Sequence, residues 1–496
     1  MKLWRLDPRR LLGYPMNVLA RSIVPSRVPA STDNFGSSSS ALCASVPLSP
    51  SVALSWSRLV LGTGLCALLI GCGPGGPSEA EWPPRAKKWF ERASASFHHV
   101  DIDEAQIAIE NALRLDRRPK VRLLAARIAL AQLEYDRTIE LLEGIQSSEA
   151  RAARGRAFWY SGRLEQAADE LEALIADPDV RDVWAENIAK LARRGSGRQP
   201  FRLTGAMLAV TDMPQIGSSA LVVPLELNGE PALGLVSTGT AEVVIDSSKQ
   251  RDPQWVSLRF GQKLEVKDVP AITKDLSGIS RELRAPIKLL LGVNLLRHIN
   301  PTVDLMGGQF VVRNFEPPPP PVATTAELRY VRGGGMVVNS SLGAGGSASD
   351  AALLIDTGMQ FPLALDEGGW KKAGVSLDSL QDIPGAKGLR QGDIPSLGLG
   401  AYELPRVPAV HGIAVDEVEA NLNVDIDGVI GSGVLAAFRV TWFRGGKAMW
   451  LEEQAVYAGP APAPRRGPAA SPSGASPSGP APPGAGDPVA PKKPAG

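Results

Sequence analysis

The chain has 496 residues, 44% of them hydrophobic, and sets 53 Lys and Arg against 52 Asp and Glu for a net charge of +1. That length and apolar content suffice for several cores, while the balanced charge supplies no bulk attraction to nucleic acid, and no basic-aromatic patch restores one. The three cysteines, Cys43, Cys66 and Cys72, all precede residue 73, so no segment beyond them can hold a disulfide, a cysteine metal site or a cysteine nucleophile.

Residues 1–51 are rich in Ser, Arg and Pro without sustained periodicity, which reads as a disordered or non-native leader, with Val52 as the expected translation start. Leu59 to Ile70 is an apolar run too short for a membrane-spanning helix of ~20 residues and suited to the core of a signal peptide. It ends in Leu69-Ile70-Gly71-Cys72, which resembles the bacterial lipobox. The resemblance implies that 52–72 is a lipoprotein signal peptide and that Cys72 is lipidated. The expected location is the bacterial cell envelope, on the outer membrane or periplasmic side, with 73–81 as a flexible Gly/Pro tether.

Residues 82–195 read as α-helical. Asp103-Glu104-Ala105 opens one stretch, with apolar Ile107, Ile109, Ala112, Leu113 and Leu115; others open at Tyr135 and Gly162. Ala105, Thr138 and Ala167 mark openings about 30 residues apart, a spacing that resembles degenerate tetratricopeptide (TPR) repeats and implies stacked antiparallel helix pairs. Such arrays bind protein segments in a groove; a plain spacer explains the pattern nearly as well. His98, His99, Asp101 and Asp103 superficially offer metal ligands, but they sit where an inter-helix turn ends and Asp caps the next helix. No metal site and no cofactor are expected.

Two copies of an all-β unit follow, at 215–315 and 335–453. In the first, Leu233-Gly234-Leu235-Val236 leads into Ser237-Thr238-Gly239; in the second, Leu353-Leu354-Ile355 leads into Asp356-Thr357-Gly358. Val269-Pro270-Ala271 is echoed by Val407-Pro408-Ala409, and Leu290-Leu291-Gly292 by Val429-Ile430-Gly431, with Thr302 and Thr441 in the strands beyond. The later motifs are about twenty residues further apart than the tripeptides, so the second copy carries an insertion after its turn, which loops tolerate.

These motifs resemble the retropepsin-like aspartic proteases, whose lobe carries an Asp-Thr-Gly turn after one strand, a flap hairpin, and then two apolar residues and a Gly behind the turn. The resemblance implies that Asp356 is the catalytic acid, that Thr357 and Gly358 fix it, and that Val429-Ile430-Gly431 is the backing strand. Ser237, with Thr238 and Gly239, is the degenerate counterpart. Aspartic proteolysis needs two carboxylates about 3 Å apart sharing a proton, one as base on water and the other as acid. Within one chain Asp356 would face a hydroxyl, whereas two chains meeting through their second lobes would form an Asp356 dyad as a homodimer.

The spacer at 316–334, with Pro317 to Pro321 and a glycine run from Gly333, leaves both pairings open. Two functions are therefore expected: a peptidase acting through Asp356-activated water when the dyad forms between chains, or a silent adaptor that holds extended peptides or partner proteins. His298 and His411 are isolated, and Asp304 and Asp366 read as turn or surface acids. From 459 to 496 Pro, Ala, Gly and Ser dominate, a composition expected to be disordered.

Overall fold

The computed structural model describes residues 82–454 apart from Ser218, Lys249, Gln250 and Gly333. The leader, the signal segment with Cys72, the tether and the tail lie outside the described residues. No helix among the described residues is long and apolar enough to cross a membrane.

Helices Pro84–His98, Ile102–Leu115, Pro119–Ala131, Tyr135–Leu141, Ser148–Tyr160, Leu164–Ile175 and Val183–Arg194 form the amino-terminal module. Prolines open the first and third, where a missing N–H costs nothing. Asp101 caps the second by accepting from Glu104 N at 3.2 Å, and Ser147 and Asp182 cap the fifth and seventh. The helices pack through small residues: Ala93, Ala105, Ala108, Ala112, Ala125 and Ala129 are buried together with Ile102, Ile109 and Ile128. Ile107 and Leu115, expected on the packed face, are 58% and 49% exposed instead. The buried face is mostly alanine, with Ile102, Ile109 and Ile128 as its larger members.

Each β unit is a curled sheet. In the first, Leu264–Lys274 pairs both with Val243–Asp246 and with Gln254–Phe260, closing a sheet that also holds Arg202–Gly205, Val222–Leu227, Glu230–Val236 and Ile287–Leu291. The second repeats this with Arg390–Leu399 and Tyr402–His411 as its long hairpin, beside Gly335–Leu342, Ser349–Asp356, Leu363–Leu365 and Gly428–Gly431. The duplication is thus visible strand by strand. Leu233–Val236 runs parallel to Ile287–Leu291, and Leu353–Asp356 runs parallel to Gly428–Gly431.

The lobes share one further sheet, in the order Thr324–Val331, Ala448–Glu453, Phe438–Phe443, Thr302–Asp304, Gln309–Arg313 and Leu208–Asp212. Thr302 lies opposite Thr441 in its middle, their hydroxyls 2.7 Å apart, so equivalent residues of the two copies meet at a pseudo-two-fold axis. Strands before residue 215 and within 316–334 contribute to this sheet; the spacer's carboxyl half is Thr324–Val331, which turns the corner from the shared sheet into the second lobe.

Candidate functional site

Both tripeptides sit at the same axis. Thr238 N donates to Thr357 Oγ1 at 3.0 Å while Thr357 N donates to Thr238 Oγ1 at 3.0 Å. Each hydroxyl passes its own proton across the interface, Thr238 to Ile355 O and Thr357 to Val236 O, both at 2.8 Å. Four buried hydrogen bonds therefore lock the Ser237 turn against the Asp356 turn of the same chain. The pairing left open by the spacer is realised within one molecule. An Asp356 dyad between chains would have to open all four bonds and displace Gly239, whose N–H is directed at the Asp356 carboxyl.

Asp356 ends its strand with 6% exposure and accepts from Gly358 N at 2.8 Å. Burial pushes its pKa above the ordinary aspartate value, and the N–H groups of Gly358 and Gly239 act the other way. A Cβ built on Gly239 would lie 2.6 Å from Asp356 Oδ1, so only glycine fits over the carboxyl. One built on Gly358 would lie 3.0 Å from Asp356 Oδ1 and 3.7 Å from Ser237 Oγ, which places acid and hydroxyl around a common point. Ser237 is 8% exposed.

The backing glycines have a shared physical cause. A Cβ on Gly292 would come within 2.1 Å of Glu242 O, and one on Gly431 within 1.9 Å of Phe361 O. In each lobe the strand behind the turn therefore presses on the carbonyl five residues past the tripeptide's first position. Val429 and Ile430 are buried in the same strand, and Ile430 pairs with Ile355.

A cavity of about 40 Å³ adjoins the acid. Leu235, Val244, Leu276, Ile279 and Leu290 form its apolar wall, with Ser237, Asp356 and Lys274 among its polar members. It has room for about a water or two. Asp275 is the other carboxylate at this cavity, but it is spent as a cap on Ser277 N at 2.8 Å, which holds its pKa below the usual range. It cannot share a proton with Asp356.

The flap implied by the resemblance is missing from the described residues of the first lobe, whereas in the second the short strand Gln381–Asp382 pairs antiparallel with Arg390 and Gln391 to form a hairpin. In the first lobe only 247–253 separate Val243–Asp246 from Gln254–Phe260; in the second the corresponding stretch holds helix Glu367–Lys372, which accounts for the insertion. The tips of the long hairpins are anchored elsewhere: Gly261 packs on Val210 and Ala209, and Ala401 N donates to Thr324 Oγ1 at 2.8 Å. Each lobe instead gains a helix before its backing strand, Ser277–Leu283 and Val415–Leu422, and Ile279 of the first closes the cavity wall.

The remaining polar candidates are structural. His298 stacks on Phe201 at 4.4 Å and burial lowers its pKa to about 4. Asp366 caps a helix through Gly369 N, and His99 pairs with Asp425 at 3.3 Å. Among the described residues no group of His, Cys, Asp and Glu could hold a metal. Glu242 was invisible to sequence reasoning: it is a buried acid gripped by Trp159, Tyr160 and Trp184 of the helical module.

Lobes joined by a six-stranded sheet, with paired Thr-Gly turns on the axis, define an aspartic-protease-like fold, here preceded by a helical module. No family model matches the chain, and no curated protein matches it. Among solved structures the chain is similar to a TPR domain of Arabidopsis OM64, at 17% identity over 22% of this chain and 96% of that one, TM-score 0.21. It is similar to a retropepsin-like aspartic protease from Rickettsia conorii, at 17% identity over 27% and 93%, TM-score 0.21. An aspartic proteinase from Irpex lacteus is matched at 11% identity over 50% and 98%, TM-score 0.33.

Proposed function

We propose that this protein is an envelope lipoprotein, anchored through Cys72, whose protease-like lobes hold an extended peptide or partner segment without cutting it. The observation that carries this reading is the reciprocal Thr238–Thr357 pairing, which sets Ser237 opposite Asp356 within one chain. A lone carboxyl beside a hydroxyl cannot divide the work of base and acid. Loss of one such group commonly costs about 10²- to 10⁴-fold in rate.

Binding to an extended segment uses backbone pairing, which needs no second acid. Because the cavity beside Asp356 admits about a water or two, a peptide enters only when helix Ser277–Leu283 at its border gives way. Peptidase activity is the competing reading. It keeps one point in its favour, since Asp356 retains the buried, N–H-ringed setting of a catalytic acid.

Titrating the monomer with an immobilised peptide library separates the two. The adaptor binds and leaves every peptide intact, and Asp356→Asn binds equally well. Cleavage that appears only with dimerisation and disappears in Asp356→Asn would establish the peptidase.

A further inference from the structure

Glu242 lies five residues past Ser237, is 2% exposed, and has no ion-pair partner among the described residues. Its Oε1 accepts from Trp159 Nε1 at 3.3 Å, Tyr160 OH at 3.2 Å and Trp184 Nε1 at 3.3 Å. All three donors come from the helical module, so one oxygen of the first lobe gathers two helices. The other oxygen faces the Asn294 amide at 3.4 Å, and Asn294 Oδ1 is buried without a partner.

The cations nearby make their contacts elsewhere, although Arg297 Nε and Nη1 are buried without a hydrogen-bond partner among the described residues. Arg156 lies 3.5 Å from Asp182 and over the Trp184 ring, and Arg297 donates to Tyr135 OH while lying over the rings of Tyr135, Tyr160 and Tyr330. Tyr135 and Tyr160 are the other titratable groups facing the carboxyl, and burial pushes both up. Leu235, Val244, Leu276, Ile279 and Leu290, the wall of the Asp356 cavity, belong to one apolar core with Trp159, Ile188 and Leu191 of the module.

We propose that Glu242, carrying its proton, is the latch that docks the helical module on the first lobe, and that its ionisation loosens both the dock and the wall of the Asp356 cavity. Burial, the largest cause, pushes the Glu242 pKa up against its hydrogen bonds. The docked state therefore takes up the proton more readily than the undocked one. Docking is strongest below the ordinary glutamate range and weakens as pH rises through the raised value, by at most about tenfold per pH unit for one proton.

Hydrogen–deuterium exchange of the full chain tests this, run between about pH 5 and about pH 9 with intrinsic rates divided out. Protection of 148–160 and 183–194 should fall with rising pH, up to about tenfold per unit, while 438–443 in the shared sheet stays constant. Glu242→Gln, which keeps the neutral shape, should hold protection at every pH. Glu242→Ala should lose it at every pH. A flat wild-type profile, or a Glu242→Gln variant that keeps the wild-type slope, overturns the proposal even if Glu242→Ala fails to fold. Since neither binding nor cleavage of peptides is read, this outcome is independent of the proposed function.

Discussion

Around their common axis the two lobes share a backbone solution and differ first at the position that carries the acid. Thr238 and Thr357 make mirror-image bonds, and Gly292 and Gly431 yield to the carbonyls of Glu242 and Phe361 in the same way. The position before the threonine is Ser237 in one and Asp356 in the other. The grip that builds the site thus resides in threonine and glycine, and the acid is free to vanish without disturbing it. Five residues on, the first lobe has the buried acid Glu242, which takes three donors from the helical module, where the second has Phe361 and meets the module through exposed pairs such as His99–Asp425 and Arg329–Asp103.

The sharpest way to break this comparison is to make the lobes alike. Ser237→Asp puts a second carboxyl beside Asp356 on an unchanged backbone, and peptide hydrolysis should rise by about 10²- to 10⁴-fold, read with a fluorogenic library below neutral pH. That gain should vanish in Ser237→Asp combined with Asp356→Asn. If Ser237→Asp folds, binds peptides and stays inert, something beyond the missing acid separates the lobes.

A smaller effect sharpens the comparison from the other side. Thr357→Val strands the Thr238 N–H and Val236 carbonyl, and Thr238→Val strands the Thr357 N–H and Ile355 carbonyl. Each stranded group costs about 1–3 kcal/mol. The two variants should lower the urea midpoint equally; a clear inequality would show that the lobes do not share the load.

The smallest effect concerns Asp356 itself. Its pKa is raised by burial in the folded state, so the folded chain binds the proton more tightly than the unfolded one. Its contribution to stability is full below the ordinary aspartate range and is lost as pH rises through the raised value. Asp356→Asn should therefore melt above the wild type at neutral pH and converge with it in acid. A variant that melts lower at neutral pH would mean that Asp356 is held ionised.

Much of the site was legible because its cause is local. The tripeptides, backing glycines and partner threonines recur in order, and each has a steric or hydrogen-bonding reason visible in its own lobe. What escaped depends on distant packing. A proline-rich spacer is compatible with either pairing, so the union of Ser237 and Asp356 turns emerged only with the shared sheet. The helical period was legible at Ala105, Thr138 and Ala167, but Ile107 and Leu115 misled because large apolar residues drew attention from the alanine face that packs. Glu242 sits in Ala241-Glu242-Val243-Val244, where alternation marks an acid as outward-facing; its burial is set by Trp159 and Trp184, far away in sequence.

The central claim, that one chain pairs its own lobes and so presents a single acid, is tested most directly by digesting a diverse peptide library with the wild-type protein while its mass is monitored in solution. The account predicts a monomer that leaves the library intact. A strictly monomeric protein that cleaves peptides, and stops when Asp356 becomes Asn, would contradict it.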